Sequence, residues 1–160
     1  MRPLRNAWLA AALLLGQTAI ASADETGSMS VTVQVTSTCK LGTASLDFGA
    51  YAVGQRTELR GQGIITYEGC SGLDTTVALD GGRSGNTKAR TLVGAGGEKL
   101  VYQLFKNSTR SQVWGTDTDA LVPRLTASGA GIIPVFGSIA GGQQVAAGRY
   151  TDSVVITLSF

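Results

Sequence analysis

Ser28-Met29-Ser30-Val31-Thr32-Val33-Gln34-Val35-Thr36-Ser37-Thr38 alternates apolar and polar residues up to the first cysteine of the chain. Successive side chains of a strand point to opposite faces, so the spacing predicts a β-strand. Met29, Val31, Val33 and Val35 share one side and Ser30, Thr32, Gln34 and Thr36 the other. The pattern leaves open whose sheet the strand joins. It reads as the ordinary first strand of its own domain or as an arm that completes a neighbouring molecule, and periodicity by itself favours the first.

On the N-terminal side, Arg2 and Arg5 precede an apolar run from Ala7 to Ile20, followed by the small residues Ala21-Ser22-Ala23. This is the pattern of a secretory signal peptide over residues 1–23, and the run is short for a bilayer span. About 137 of the 160 residues remain once 1–23 are removed, the size of one domain with a real core. The chain has 13 Lys and Arg against 11 Asp and Glu, and Arg2 and Arg5 leave with the leader, so the exported part is close to neutral. Binding phosphates needs an excess of clustered positive charge, and no basic run survives, which removes the case for nucleic acid or an anionic membrane surface.

On the other side stand Cys39 and Cys70, the only two cysteines, both in the exported part. An oxidising compartment favours pairing, so one disulfide is expected. Closing a loop of about thirty residues contributes roughly 3 to 4 kcal/mol on the chain-entropy model. A redox or metal pair is disfavoured, because there is no Cys-x-x-Cys spacing and no histidine to complete a site. No cofactor is indicated.

Beyond Cys39 short apolar alternations are set between glycine, Asp and Asn turns, an all-β signature. Leu46-Asp47-Phe48-Gly49 with Tyr51 reads as a short strand and a corner. Residues 63–67 and 75–80 read as strands, the second stopped by Gly81-Gly82, and the polar residues 83–90 as a surface loop. Leu100-Val101-Tyr102-Gln103-Leu104-Phe105 is the strongest central strand. Val113-Trp114-Gly115 offers a short strand with a core indole, and residues 121–126 and 134–139 are further strands. Residues 150–160 read as one strand with Val154, Ile156, Leu158 and Phe160 on one face. About seven short strands with a disulfide argue for a two-sheet β-sandwich of immunoglobulin-like topology, with a barrel as the alternative.

Little in this chain suggests catalysis. The absence of histidine excludes Ser-His-Asp and Cys-His machinery. Asp117 and Asp119 read as solvated turn residues rather than a glycosidase pair. The glycine-rich residues 93–100 lack the Gly-Lys-Ser/Thr ending of a phosphate loop, and no helix follows, so a hairpin is the better reading. Asn107-Ser108-Thr109 matches a glycosylation sequon without identifying a cell that would use it. A carbohydrate-binding module or small hydrolase would have to use Trp114, Asp117 and Asp119.

Taken together, Leu46-Asp47-Phe48-Gly49 with Tyr51, Gly63-Ile64-Ile65 running to Cys70, Ala78-Leu79-Asp80-Gly81-Gly82, Leu100-Val101-Tyr102-Gln103-Leu104, Trp114-Gly115, Val135-Phe136-Gly137-Ser138-Ile139 and Gly148-Arg149-Tyr150-Thr151-Asp152 resemble the spore coat protein U domain. That family includes the pilins of archaic chaperone-usher fimbriae of Gram-negative bacteria. The resemblance implies an incomplete immunoglobulin-like sandwich whose groove is filled first by a periplasmic chaperone and then, at the outer-membrane usher, by the arm of a neighbouring subunit. It divides the chain into a signal peptide (1–23), a donor arm (24–38) and a pilin domain (39–160). Met29, Val31, Val33 and Val35 become the donor residues. Val154, Ile156, Leu158 and Phe160 become the acceptor edge that the chaperone also reads. The implied role is that of a fimbrial subunit supporting adhesion and biofilm formation outside the cell. The alternative is a secreted spore or cell-coat protein that folds as a complete monomer.

Overall fold

The structure, a computed structural model, describes residues 28–34, 36 and 38–160. The leader expected at 1–23 and the donor residue Val35 lie outside the described residues. The chain divides into units Met1–Gln34 and Val35–Phe160, and every strand among the described residues belongs to the second.

Among the described residues eight strands form: β1 (Lys40–Asp47), β2 (Leu59–Glu68), β3 (Thr76–Leu79), β4 (Arg90–Gly94), β5 (Lys99–Phe105), β6 (Gly131–Ile139), β7 (Tyr150–Thr151) and β8 (Ile156–Ser159). Two 3-10 turns, Gly82–Ser84 and Asp117–Asp119, are the only helical elements among the described residues. All strand pairs are antiparallel. Six strands make one sheet in the order β1-β2-β6-β5-β4-β7, and β3 and β8 make a second. The expected all-β sandwich is therefore present.

Alternation decides which side of each strand is covered. In β2, Ile65 and Tyr67 are buried while Ile64 between its neighbours is exposed; in β5, Leu100, Tyr102 and Leu104 are buried and Val101 is exposed. Ile133, Val135 and Ile139 of β6 join them, and Val77 and Leu79 of β3 face them from the second sheet. Trp114 is fully buried in this core, as its sequence position led one to expect, and its Nε1 donates to the Val77 carbonyl at 2.8 Å. Gly63 stands opposite Leu46 in the β1–β2 ladder, where a Cβ would run into the Ser45 carbonyl and approach Leu46 Cα to 2.9 Å. Glycine lets the two strands close. Cys39 and Cys70 form the expected disulfide, joining the residue before β1 to the chain just after β2.

Four expectations need correction. Residues 28–34 form no strand. A strand needs a ladder partner, and alternation alone supplies none. Residues 113–115 and 121–126 contribute only the single bridges Phe105↔Val113 and Val77↔Leu121; in the second segment Pro123 has no N–H with which to extend a ladder. The surface loop at 83–90 ends one residue early, because Arg90 opens β4 with its side chain fully buried. Finally, residues 150–160 are two strands in different sheets, interrupted at 152–155.

Candidate functional site

Among the described residues the second sheet has two strands, and this shapes the surface. Among the described residues β8 pairs with β3 alone and β1 with β2 alone, so each has one edge without a ladder neighbour. Between these two edges runs a groove in two lobes of about 770 and 390 Å³. Leu46, Phe48, Leu92 and Asp152 line both lobes, which makes them one continuous trough. One wall is β1 and the corner after it; the other is the chain from Val145 to Ile156. The floor is core: Leu100 and Ile139 under the larger lobe, Ile65, Leu104 and Val135 under the smaller.

The corner that holds the first wall is built from Tyr51. Its hydroxyl donates to the Ala140 carbonyl at 3.2 Å and accepts from the Gln143 backbone N–H at 3.1 Å, tying the β1–β2 connection to the loop after β6. Phe48, just upstream, stands edge-on to Tyr102 with ring centroids 5.8 Å apart.

On the opposite wall, Val154 and Ile156 line the smaller lobe. Leu158 is half-buried against the core opposite Val77, while Phe160 lies beyond the end of β8 and is 60 % exposed. Of the expected donor residues, Met29, Val31 and Val33 are 79–85 % exposed, so none of the three is a core residue. Apolar side chains left in water at alternate positions are a standing free-energy cost that burial would remove.

The groove also contains polar residues to which the sequence assigned no role at a site. Tyr102 donates from its hydroxyl to Asp152 Oδ2 at 2.7 Å at the point where the lobes meet. Burial first, then the neighbouring carboxylate of Asp152, pushes the Tyr102 phenol far above its ordinary value. Behind it the fully buried Arg90 donates to the carbonyls of Leu79, Asp80, Thr87 and Trp114 and to Gln103 Oε1. The signal for Arg90 was its place at the head of the alternating Arg90-Thr91-Leu92-Val93, whose inward positions pair with Tyr102 and Leu100.

The remaining candidates do not converge. Asp117 is exposed and Asp119 half-buried in their turn, and Trp114 is sealed in the core, so no aromatic face is offered to a sugar there. Asn107 spends its amide on its own loop, donating to Thr109 and Ser111 and accepting from the backbone N–H groups of Ser111 and Gln112.

A model of the Spore Coat Protein U domain matches residues 25–157. The chain belongs to the Spore Coat Protein U domain family. It is 30 % identical over 173 residues to Protein U of Myxococcus xanthus, with 94 % of this chain and 93 % of that protein covered. Among solved structures it resembles a chain of the CsuC–CsuE chaperone–tip adhesion subunit pre-assembly complex from the archaic chaperone-usher Csu pili of Acinetobacter baumannii. The TM-score is 0.52 at 20 % identity, covering 76 % of this chain and 39 % of that one. The chain thus spans well under half of that solved chain, and the likeness is one of fold, the immunoglobulin-like sandwich. Spore Coat Protein U domains are structural proteins, and this one is not an enzyme.

Proposed function

We propose that the chain is a structural subunit of an extracellular chaperone-usher fimbria, exported through the periplasm and polymerised by donor-strand exchange, where it supports adhesion and biofilm formation. The observation that carries the reading is the groove whose floor is the hydrophobic core and whose walls include β1 and the start of β8, each with an edge that has no ladder neighbour among the described residues. Such a site fits an added strand better than a small molecule. An extended segment gains main-chain hydrogen bonds along an edge and places alternate side chains in the trough, a mode of recognition that chaperone–pilin complementation exemplifies. The arm at residues 24–38 has the matching chemistry. Burying Met29, Val31, Val33 and Val35 at about 1.5 to 3 kcal/mol each yields a gross gain on the order of 6 to 12 kcal/mol, comparable to the net stability of a whole domain.

An open edge is an aggregation hazard, which accounts for a periplasmic chaperone holding the groove until an outer-membrane usher presents the next subunit. Deleting residues 28–36 is expected to leave chaperone binding intact and stop fibre extension. Fibres of normal length from the deleted subunit overturn the reading. A subunit that is soluble, monomeric and protease-resistant in the periplasm without a chaperone is instead a coat protein that folds alone.

A further inference from the structure

Asp152 is where the chain changes sheets. β7 ends at Thr151, still paired with Val93 of β4, and β8 begins at Ile156, paired with Leu79 of β3. The four residues between them belong to no ladder, yet burial keeps alternating through the break: Asp152, Val154, Ile156 and Leu158 are half-buried, and Ser153, Val155 and Thr157 are exposed.

Two carboxylates take over where the ladder stops. Asp152 Oδ1 accepts from the backbone N–H of its neighbour Ser153 at 2.8 Å and from that of Arg83 at 2.9 Å, while Oδ2 accepts from Tyr102. Asp80 Oδ1 accepts from the N–H groups of Val155 and Gly82, both at 2.9 Å, and the Asp80 N–H donates to the Val155 carbonyl at 3.1 Å. Gly82 makes the arrangement possible. Its φ of +57° lies in the left-handed region, and a Cβ there would fall on the Asp152 carboxylate. The buried charge of Arg90 interacts favourably with both carboxylates without touching either.

We propose that Asp152, with Asp80 and Tyr102, is the latch that sets the sheet switch and thereby positions the Val154–Ile156 wall of the groove for an incoming strand. The inference rests on the donor-strand reading above. Asp152 is a positioning residue: its carboxylate fixes the backbone from Ser153 onward, and the free edge of β8 inherits that register. Without it, residues 152–155 are free to extend the β4 ladder or to slide along β3. A one-residue slip turns every groove-facing side chain outward.

The test uses the exported full chain, a synthetic peptide copying residues 27–36, and amide hydrogen exchange. Asp152→Ala is expected to weaken peptide binding about tenfold, equivalent to about 1.4 kcal/mol. It should also speed exchange at residues 153–158 while the β2–β6 ladder keeps its protection. Tyr102→Phe, which removes one bond and no volume, shifts both readouts in the same direction by less. Ile133→Val, a core change on β6 outside the latch, lowers the melting temperature and leaves peptide affinity unchanged. Wild-type affinity and wild-type exchange in Asp152→Ala overturn the latch, as does acceleration spread evenly over all strands. If the wild-type chain ignores the peptide, the donor-strand reading fails by itself, and local acceleration at 153–158 in Asp152→Ala still supports the latch.

Discussion

Replacing Arg90 by Met tests what holds the two sheets together beside the groove. The side chain is fully buried and spends all five of its N–H groups: Nε on the Asp80 carbonyl at 2.8 Å, Nη1 on Thr87 and Gln103, Nη2 on Leu79 and Trp114 at 3.0 and 2.8 Å. Every acceptor is neutral. Burial accordingly lowers the guanidinium pKa, with opposing help from Tyr102, Asp80 and Asp152. Two effects compete in the variant. Methionine removes a desolvated cation, which by itself is favourable. It also strands the deep Leu79 and Trp114 carbonyls, at about 1 to 3 kcal/mol each. Gln103 Oε1 keeps a donor in the Leu104 N–H, and the Asp80 and Thr87 carbonyls are bonded at only part-buried positions, so none of these three adds much. The stranded carbonyls win, and the expected loss is about 2 to 6 kcal/mol out of the roughly 5 to 15 that hold a domain. Urea unfolding followed by the fluorescence of Trp114 measures it, with stability extrapolated linearly to zero denaturant. Arg90→Lys, with three donors for five acceptors, should fall between. An Arg90→Met protein within about 0.5 kcal/mol of wild type, inside the usual range of a neutral surface change, refutes the reasoning.

Gly63→Ala places a methyl against the Ser45 carbonyl and Leu46 Cα, backbone that cannot swing aside, and should cost about 1 to 3 kcal/mol with exchange accelerated first in β1; an unchanged β1–β2 ladder counts against it. Tyr102 gives a pH signature. Its folded phenol is raised above the ordinary 10.0, so its contribution is whole below pH 10. Above that point unfolded chains give up a proton that folded chains retain, and stability falls by up to about 1.4 kcal/mol per pH unit. Tyr102→Phe should flatten that part of the pH–stability curve between pH 10 and 12, and parallel curves for the two proteins would show that Tyr102 is not its source.

What could be read from the sequence, and what could not, divides along a physical line. Strands with both a period and a partner of matching length were legible: β2, β5 and β6 carry long alternations, and the inward set Ile65, Tyr102 and Val135 follows from the count alone. The burial of Trp114 and the pairing of Cys39 with Cys70 were legible for the same reason, since composition and compartment leave each little alternative. The sheet switch was not. Burial alternates with a period of two from Tyr150 to Ser159, straight through the break at 152–155, and only Phe160 departs from it; what changes is the hydrogen-bonding partner, to which side-chain periodicity is blind.

Asp152 interrupts the ladder without interrupting the pattern, because a carboxylate can accept the N–H groups that a neighbouring strand would otherwise take. Arg90 escaped for a related reason. A charged residue at the head of a strand reads as solvent-facing unless one knows that four carbonyls and an amide oxygen converge on it from elements up to 24 residues away. Both residues, to which the sequence assigned no role at a site, therefore stand where main-chain groups are satisfied by side chains instead of by a ladder. Among the described residues the second sheet has no third strand along this same line. If the groove accepts a strand, the incoming backbone supplies along β8 the kind of bonds that Asp152 and Asp80 supply at its start, and the latch marks the point from which the new ladder must run.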